Sequence, residues 1–95
     1  MKPAKFKHRI LGAPVLAVQV VDGNHSKVAK WCKGVVRGRG KAKSVYLNEK
    51  DGKRQAKTGW WVINIFDSYI TVGDRTFKNV FVSEDDYIPV EQLED

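Results

Sequence analysis

Arg37, Arg39, Lys41 and Lys43 place four cations within seven residues and interleave them with Gly38 and Gly40. Glycine frees the backbone at such positions, so the side chains and open amides can converge on phosphate oxygens. An arginine can fork onto two phosphate oxygens or stack on a base, whereas a lysine acts as a point charge. Lys53, Arg54 and Lys57 follow on a charge-rich strand, and hairpin geometry would join them to the loop as one basic face. Phosphate contacts position a protein without specifying sequence. The pattern therefore points to a polyanion with no stated base preference. It also fits a solvated loop that serves solubility.

Other reactive residue types offer less. Trp60 and Trp61 are adjacent, so a strand must turn them to opposite faces. Trp60 is then a possible stacking platform for a base, worth roughly 1–3 kcal/mol, although a two-sided strand would bury both rings. Cys32 and His25 lie seven residues apart, about 10 Å along a helix axis, too far for a nucleophile and its base. Cys32 reads instead as a buried packing thiol. Glu84, Asp85 and Asp86 cluster as acids and read as a solvated loop. No Walker-type loop, zinc spacing or nucleophile elbow is present. No catalytic residue, metal site or cofactor is expected, and the chain is not expected to be an enzyme.

The elements that must hold this loop follow from periodicity. Val15 to Val21 is apolar on both faces, as in a strand buried on two sides. Asp22-Gly23-Asn24 closes it with turn chemistry. A short helix, His25 to Lys33, is expected next, with Val28, Trp31 and Cys32 on one stripe and Gly34 at its C-cap. Strands are expected at 35–37, 45–47, 53–57, 60–66, 69–72 and 80–82. Asp51-Gly52 signals a tight hairpin, and Gly73-Asp74-Arg75 a turn. The 60–66 run reads as the central strand, with Trp61, Ile63 and Ile65 on one face. Tyr87-Ile88-Pro89-Val90 can add only a short edge strand, because Pro89 donates no ladder hydrogen bond. The expected fold is α+β, a small curved antiparallel β-sheet or partly open barrel with one short helix.

The 95 residues suit a single domain, 1–95, with a basic N-terminal arm over 1–9 and an acidic tail over 91–95. Charge is laid out unevenly. Residues 1–58 hold fifteen Lys and Arg against three Asp and Glu, a net +12, while residues 59–95 hold two against eight, a net −6. A basic body of this kind attracts polyanions before contact forms. The single cysteine excludes an intrachain disulfide and a thiolate zinc cage, and suits a reducing cytosol. The apolar stretch behind the basic start, 10–21, is broken by Gly12, Pro14 and Gln19 and lacks a small-residue cleavage site. It reads as a strand rather than a signal peptide or membrane span.

The order of motifs carries a resemblance. Pro14-Val15-Leu16-Ala17-Val18-Gln19, the short Lys/Trp helix, Thr58-Gly59-Trp60-Trp61-Val62-Ile63 and Tyr87-Ile88-Pro89-Val90-Glu91 together resemble a group of small tailed-phage accessory proteins. Their pattern has a basic start, a PVxxxAVQ first strand, a short Trp helix and a GxW-type central strand. The resemblance implies a phage-encoded accessory protein of unassigned activity, with no catalytic residues to carry over. The expected function is a non-enzymatic phage-type binding module in the host cytoplasm. Its basic face would bind nucleic acid or a host nucleic-acid machine, with no membrane partner. The alternatives are a protein–protein inhibitor of a host factor and an anti-defence sponge for a small nucleotide.

Overall fold

Val62 and Ile63 are neighbours in one strand, yet each is 0 % exposed, so the sheet that holds them is covered on both faces. The computed structural model describes residues 1–47 and 54–89. Among these the chain runs β1 (Ala4–His8), β2 (Pro14–Gln19), α1 (His25–Cys32), β3 (Val35–Arg37) and β4 (Ser44–Tyr46). It continues with β5 (Gln55–Lys57), β6 (Trp61–Ile65), β7 (Ser68–Val72), α2 (Asp74–Val80) and β8 (Phe81–Ser83). Five strands form one antiparallel sheet in the order β7-β6-β2-β1-β8, and β3-β4-β5 form a second. The fold is α+β, and neither sheet closes into a barrel.

Register assigns the two faces. Ala17 pairs with Ile63 and Val18 with Val62 in β2 and β6. Successive side chains alternate, so Ala17 and Ile63 share one face and Val18 and Val62 the other. Over the Val62 face lie Val28, Ala29 and Cys32 of α1, with Val45 and Ala56 of the second sheet. Over the Ile63 face lie Phe77 of α2 and Phe81 of β8, with Phe6, Trp61, Ile65 and Ile70 packed around them. The α1 stripe therefore meets the face opposite to Trp61, Ile63 and Ile65. Its buried positions are His25, Val28, Ala29 and Cys32, the helical i, i+3, i+4, i+7 repeat. Trp31 is half-buried and meets Tyr69 edge-on at 5.2 Å.

Several sequence expectations change. A second helix, α2, occupies 74–80, where a turn and the start of a strand were expected. Asp74 stabilises its first turn and pairs with Lys78 one turn on at 3.1 Å. The basic start is not an arm throughout: Ala4–His8 is β1, hydrogen-bonded between β2 and β8. The middle strand of the larger sheet is β2, with β6 beside it. The left-handed residue that ends α1 is Lys33 (φ 60°). Gly34 is required for a different reason, since a Cβ there would run into the Tyr46 carbonyl oxygen. Residues 87–89 form no strand. Instead the Tyr87 ring lies under Lys7 Nζ at 5.0 Å. The expected hairpin at 51–52 and the acidic tail over 91–95 lie outside the described residues.

Candidate nucleic-acid interface

The second sheet and the loop between its β3 and β4 strands carry most of the basic residues singled out above. Ser44 pairs with Arg37 on one side and Lys57 on the other, and Tyr46 pairs with Val35 and Gln55. Directly paired residues point the same way, so Arg37, Lys57 and Tyr46 share the face turned away from α1. The inward face is Val36, Val45 and Ala56, packed on the α1 core. Arg37 and Lys57 are exposed. The Arg37 guanidinium lies 5.9 Å from the centre of the Tyr46 ring, within cation–π range.

The loop from β3 to β4 brings the other cations to the same end of the sheet. Gly38 (φ 91°) makes the turn that only glycine takes readily, and a Cβ there would strike the Ala42 carbonyl. Gly40–Ala42 then forms one 3-10 turn, closed by Lys43 N–H donating to Gly40 O at 3.2 Å. Arg39 and Lys41 are exposed and Lys43 is half-buried. Among the described residues no carboxylate stands within ion-pair distance of Arg37, Arg39, Lys41, Lys43 or Lys57. Arg54 is exposed just ahead of β5, and Lys53 lies outside the described residues. Arg37, Arg39, Lys41, Lys43 and Lys57 thus gather around one small sheet.

Trp60 sits elsewhere. It precedes β6, is half-buried, and packs against the core under α1, with Gly73 close to its ring. That position gives it a packing role. The aromatic ring that does share the basic face is Tyr46, two residues along β4 from Ser44, the strand partner of Arg37 and Lys57.

A second residue is His25, which the sequence offered only as a base too distant from Cys32. It is the first residue of α1 and 2 % exposed. Its Nε2 lies 2.9 Å from the Thr58 hydroxyl oxygen, and its Nδ1 is buried with no hydrogen-bond partner. A buried polar atom left unpaired costs roughly 1–3 kcal/mol, so its retention calls for a reason. Cys32, seven residues along, is buried and donates weakly to Ala29 O at 3.7 Å. Burial pushes its thiol above the ordinary range, against weaker lowering by backbone hydrogen bonds, which makes it a poor nucleophile. The described residues hold no group of three or more His, Cys, Asp and Glu placed to bind a metal. No helix among them is long and apolar enough to cross a membrane.

The fold and this surface define a small α+β protein whose second sheet turns a cationic, tyrosine-bearing face outward. No protein family, characterised protein or solved structure matches the chain.

Proposed function

We propose that the chain is a non-enzymatic binding module of the tailed-phage accessory type, and that its basic sheet face binds nucleic acid in the host cytoplasm. The observation that carries this reading is the row Arg37–Ser44–Lys57 beside Tyr46. It sets cations at strand-pair spacing around a ring able to stack. Arg39, Lys41 and Lys43 extend the row along the loop. The binding is expected to be tolerant of sequence, because the cations reach phosphates and a tyrosine stacks on any base.

The test is the salt dependence of binding. Changing Arg37, Arg39, Lys41 and Lys43 together to Ser removes four cations from exposed or half-buried positions. Each lost phosphate contact flattens the plot of log affinity against log salt by about 0.7–0.9, so the slope should change by about 3. Fluorescence anisotropy with a mixed-sequence duplex and the matching single strand gives the slopes. A parent that binds neither at low salt, or a variant that keeps the parent's slope, defeats the reading.

A second reading, inhibition of a host protein, is favoured by one observation. Phe66 is 85 % exposed at φ 50°, beside a cavity of about 490 Å³ lined in part by Leu16, Asp67 and Glu84. An exposed aromatic on strained backbone is a common device for anchoring a partner. Under this reading a salt-insensitive complex with a host protein is lost in Phe66→Ser and kept in the quadruple Ser variant.

A further inference from the structure

A cavity of about 460 Å³ opens where α1 begins, walled by Asp22, His25, Gly40, Lys41, Lys43 and Thr58. We propose that it is a phosphate-binding site, which takes the phosphate group of a nucleotide or nucleic-acid strand. The inference rests on the basic-face reading and gives it a defined subsite.

Four features converge there. Lys41 and Lys43 supply two cations. His25 lines the wall with a ring oriented by Thr58, and its buried Nδ1 has no hydrogen-bond partner among the described residues. Thr58 supplies a hydroxyl whose second contact, to Lys43 O, is long at 3.5 Å. The start of α1 has no side-chain cap. Asn24 stands at the cap position, but its Oδ1 accepts from Val21 N–H at 2.9 Å and its Nδ2 donates to Gln19 O at 3.0 Å. The first-turn amides therefore lack the side-chain partner that an N-cap normally provides. A phosphate at the helix start meets such amides directly.

The walls also fix the charge of the ligand. Two lysines against Asp22 give the wall a net charge of +1. A phosphodiester carries one negative charge and a terminal phosphate about 1.5 to 2. Asp22 repels a bare anion yet accepts hydrogen bonds from hydroxyl or amino groups. The site thus favours a phosphate that carries a donor-bearing sugar or base over the free ion. The cavity exceeds the needs of phosphate alone and falls within the range for small-molecule sites.

The site sits at the rim of the basic face, since Lys43 and Thr58 flank the Ser44–Lys57 pair at the end of β4 and β5. It can still be tested separately. Inorganic phosphate is titrated into labelled parent protein while the imidazole signals of His25 are followed by nuclear magnetic resonance. Single-stranded oligonucleotides with and without a 5′ phosphate are then bound to the parent, to Thr58→Val and to His25→Asn. Thr58 is exposed, but its hydroxyl is the partner of buried His25 Nε2. The melting midpoint of each variant is therefore measured first, and Thr58→Ser, which keeps the hydroxyl, should bind like the parent.

Phosphate should shift the His25 signals saturably. Thr58→Val should weaken oligonucleotide binding about tenfold, the loss of one charge-assisted hydrogen bond. The salt slope should change by no more than about 1. Tighter binding of the 5′-phosphorylated strand assigns the site to a terminal phosphate. Equal binding of both strands, weakened alike by Thr58→Val, assigns it to an internal phosphodiester. His25 signals that stay put in phosphate, or a Thr58→Val variant that binds like the parent, overturn the proposal. Failure of the basic-face reading looks different: the parent then binds no oligonucleotide at low salt, whatever phosphate does at His25.

Discussion

Phe77→Ala tests whether α2 holds the larger sheet together. Phe77 is the buried residue of that helix, at 2 % exposure. Its ring stacks on Trp61 with centroids 3.9 Å apart and planes within 5°. It also meets Phe6 edge-on at 4.9 Å and lies 5.3 Å from Phe81. Truncation would leave a cavity bounded by three aromatic rings from β6, β1 and β8. Rings cannot collapse into such a gap without leaving their own contacts, so the loss should approach the upper part of the 3–5 kcal/mol range for Phe→Ala in cores. Total stability for a domain is about 5–15 kcal/mol. At roughly 4–8 °C per kcal/mol for this size, the melting midpoint should fall by at least about 12 °C. Circular dichroism melts in the far and near ultraviolet measure it, the near-ultraviolet signal reporting the packing of the aromatic rings, Trp61 among them. A fall of less than about 4 °C, a loss under roughly 1 kcal/mol, would refute the packing of α2 on this face.

Asp74 accepts from Trp61 Nε1 at 2.8 Å and pairs with Lys78, and these contacts, the indole N–H first, hold its carboxyl below the usual range. A lowered folded value means stability that is present above the ordinary carboxylate value near 3.9 and lost as pH falls through the folded one. The midpoint difference between parent and Asp74→Asn should therefore be open at neutral pH and narrow in acid; a gap that widens in acid refutes the assignment. Phe66 and Asp67 both take positive φ, at 50° and 61°, in the two-residue turn between β6 and β7. Phe66→Asn together with Asp67→Gly should raise stability by about 1 kcal/mol or more, read as a rise in the denaturant midpoint. Cys32 in the native protein should react with a thiol reagent more than about tenfold slower than in denaturant, since burial disfavours the thiolate. Equal rates would mean that the α1 stripe is open.

The fold class was legible because its strongest signals are local. The 60–66 run is apolar on both faces, and Val62 and Ile63 are buried on opposite sides of one sheet. Turn chemistry at 22–24 located the start of α1. Helix α2 escaped because it has one buried residue, Phe77, and so no apolar stripe to repeat. Its signal was the spacing of Asp74 and Lys78, weak against the β-branched residues that follow. Strand β1 escaped because Lys5 and Lys7 dominate its composition, while the inward Phe6 and His8 mark the alternation. The basic loop was visible as composition. The residues that stand beside it were not, because Tyr46 meets Arg37, and His25 meets Thr58, only through tertiary packing.

The position of β1 bears on how the chain is made. Phe6 pairs with Ser83 and His8 with Phe81 across nearly the whole described length. On the ribosome β1 and β2 can zip together early, but the outer edge of β1 stays uncovered until β8 is synthesised. A waiting edge is a template for pairing with another nascent chain. Lys5 and Lys7 stand on that strand, and like charges brought together from two chains repel. The two lysines thus act as guards for the interval between the birth of the first strand and the arrival of the last, a service the finished protein no longer displays.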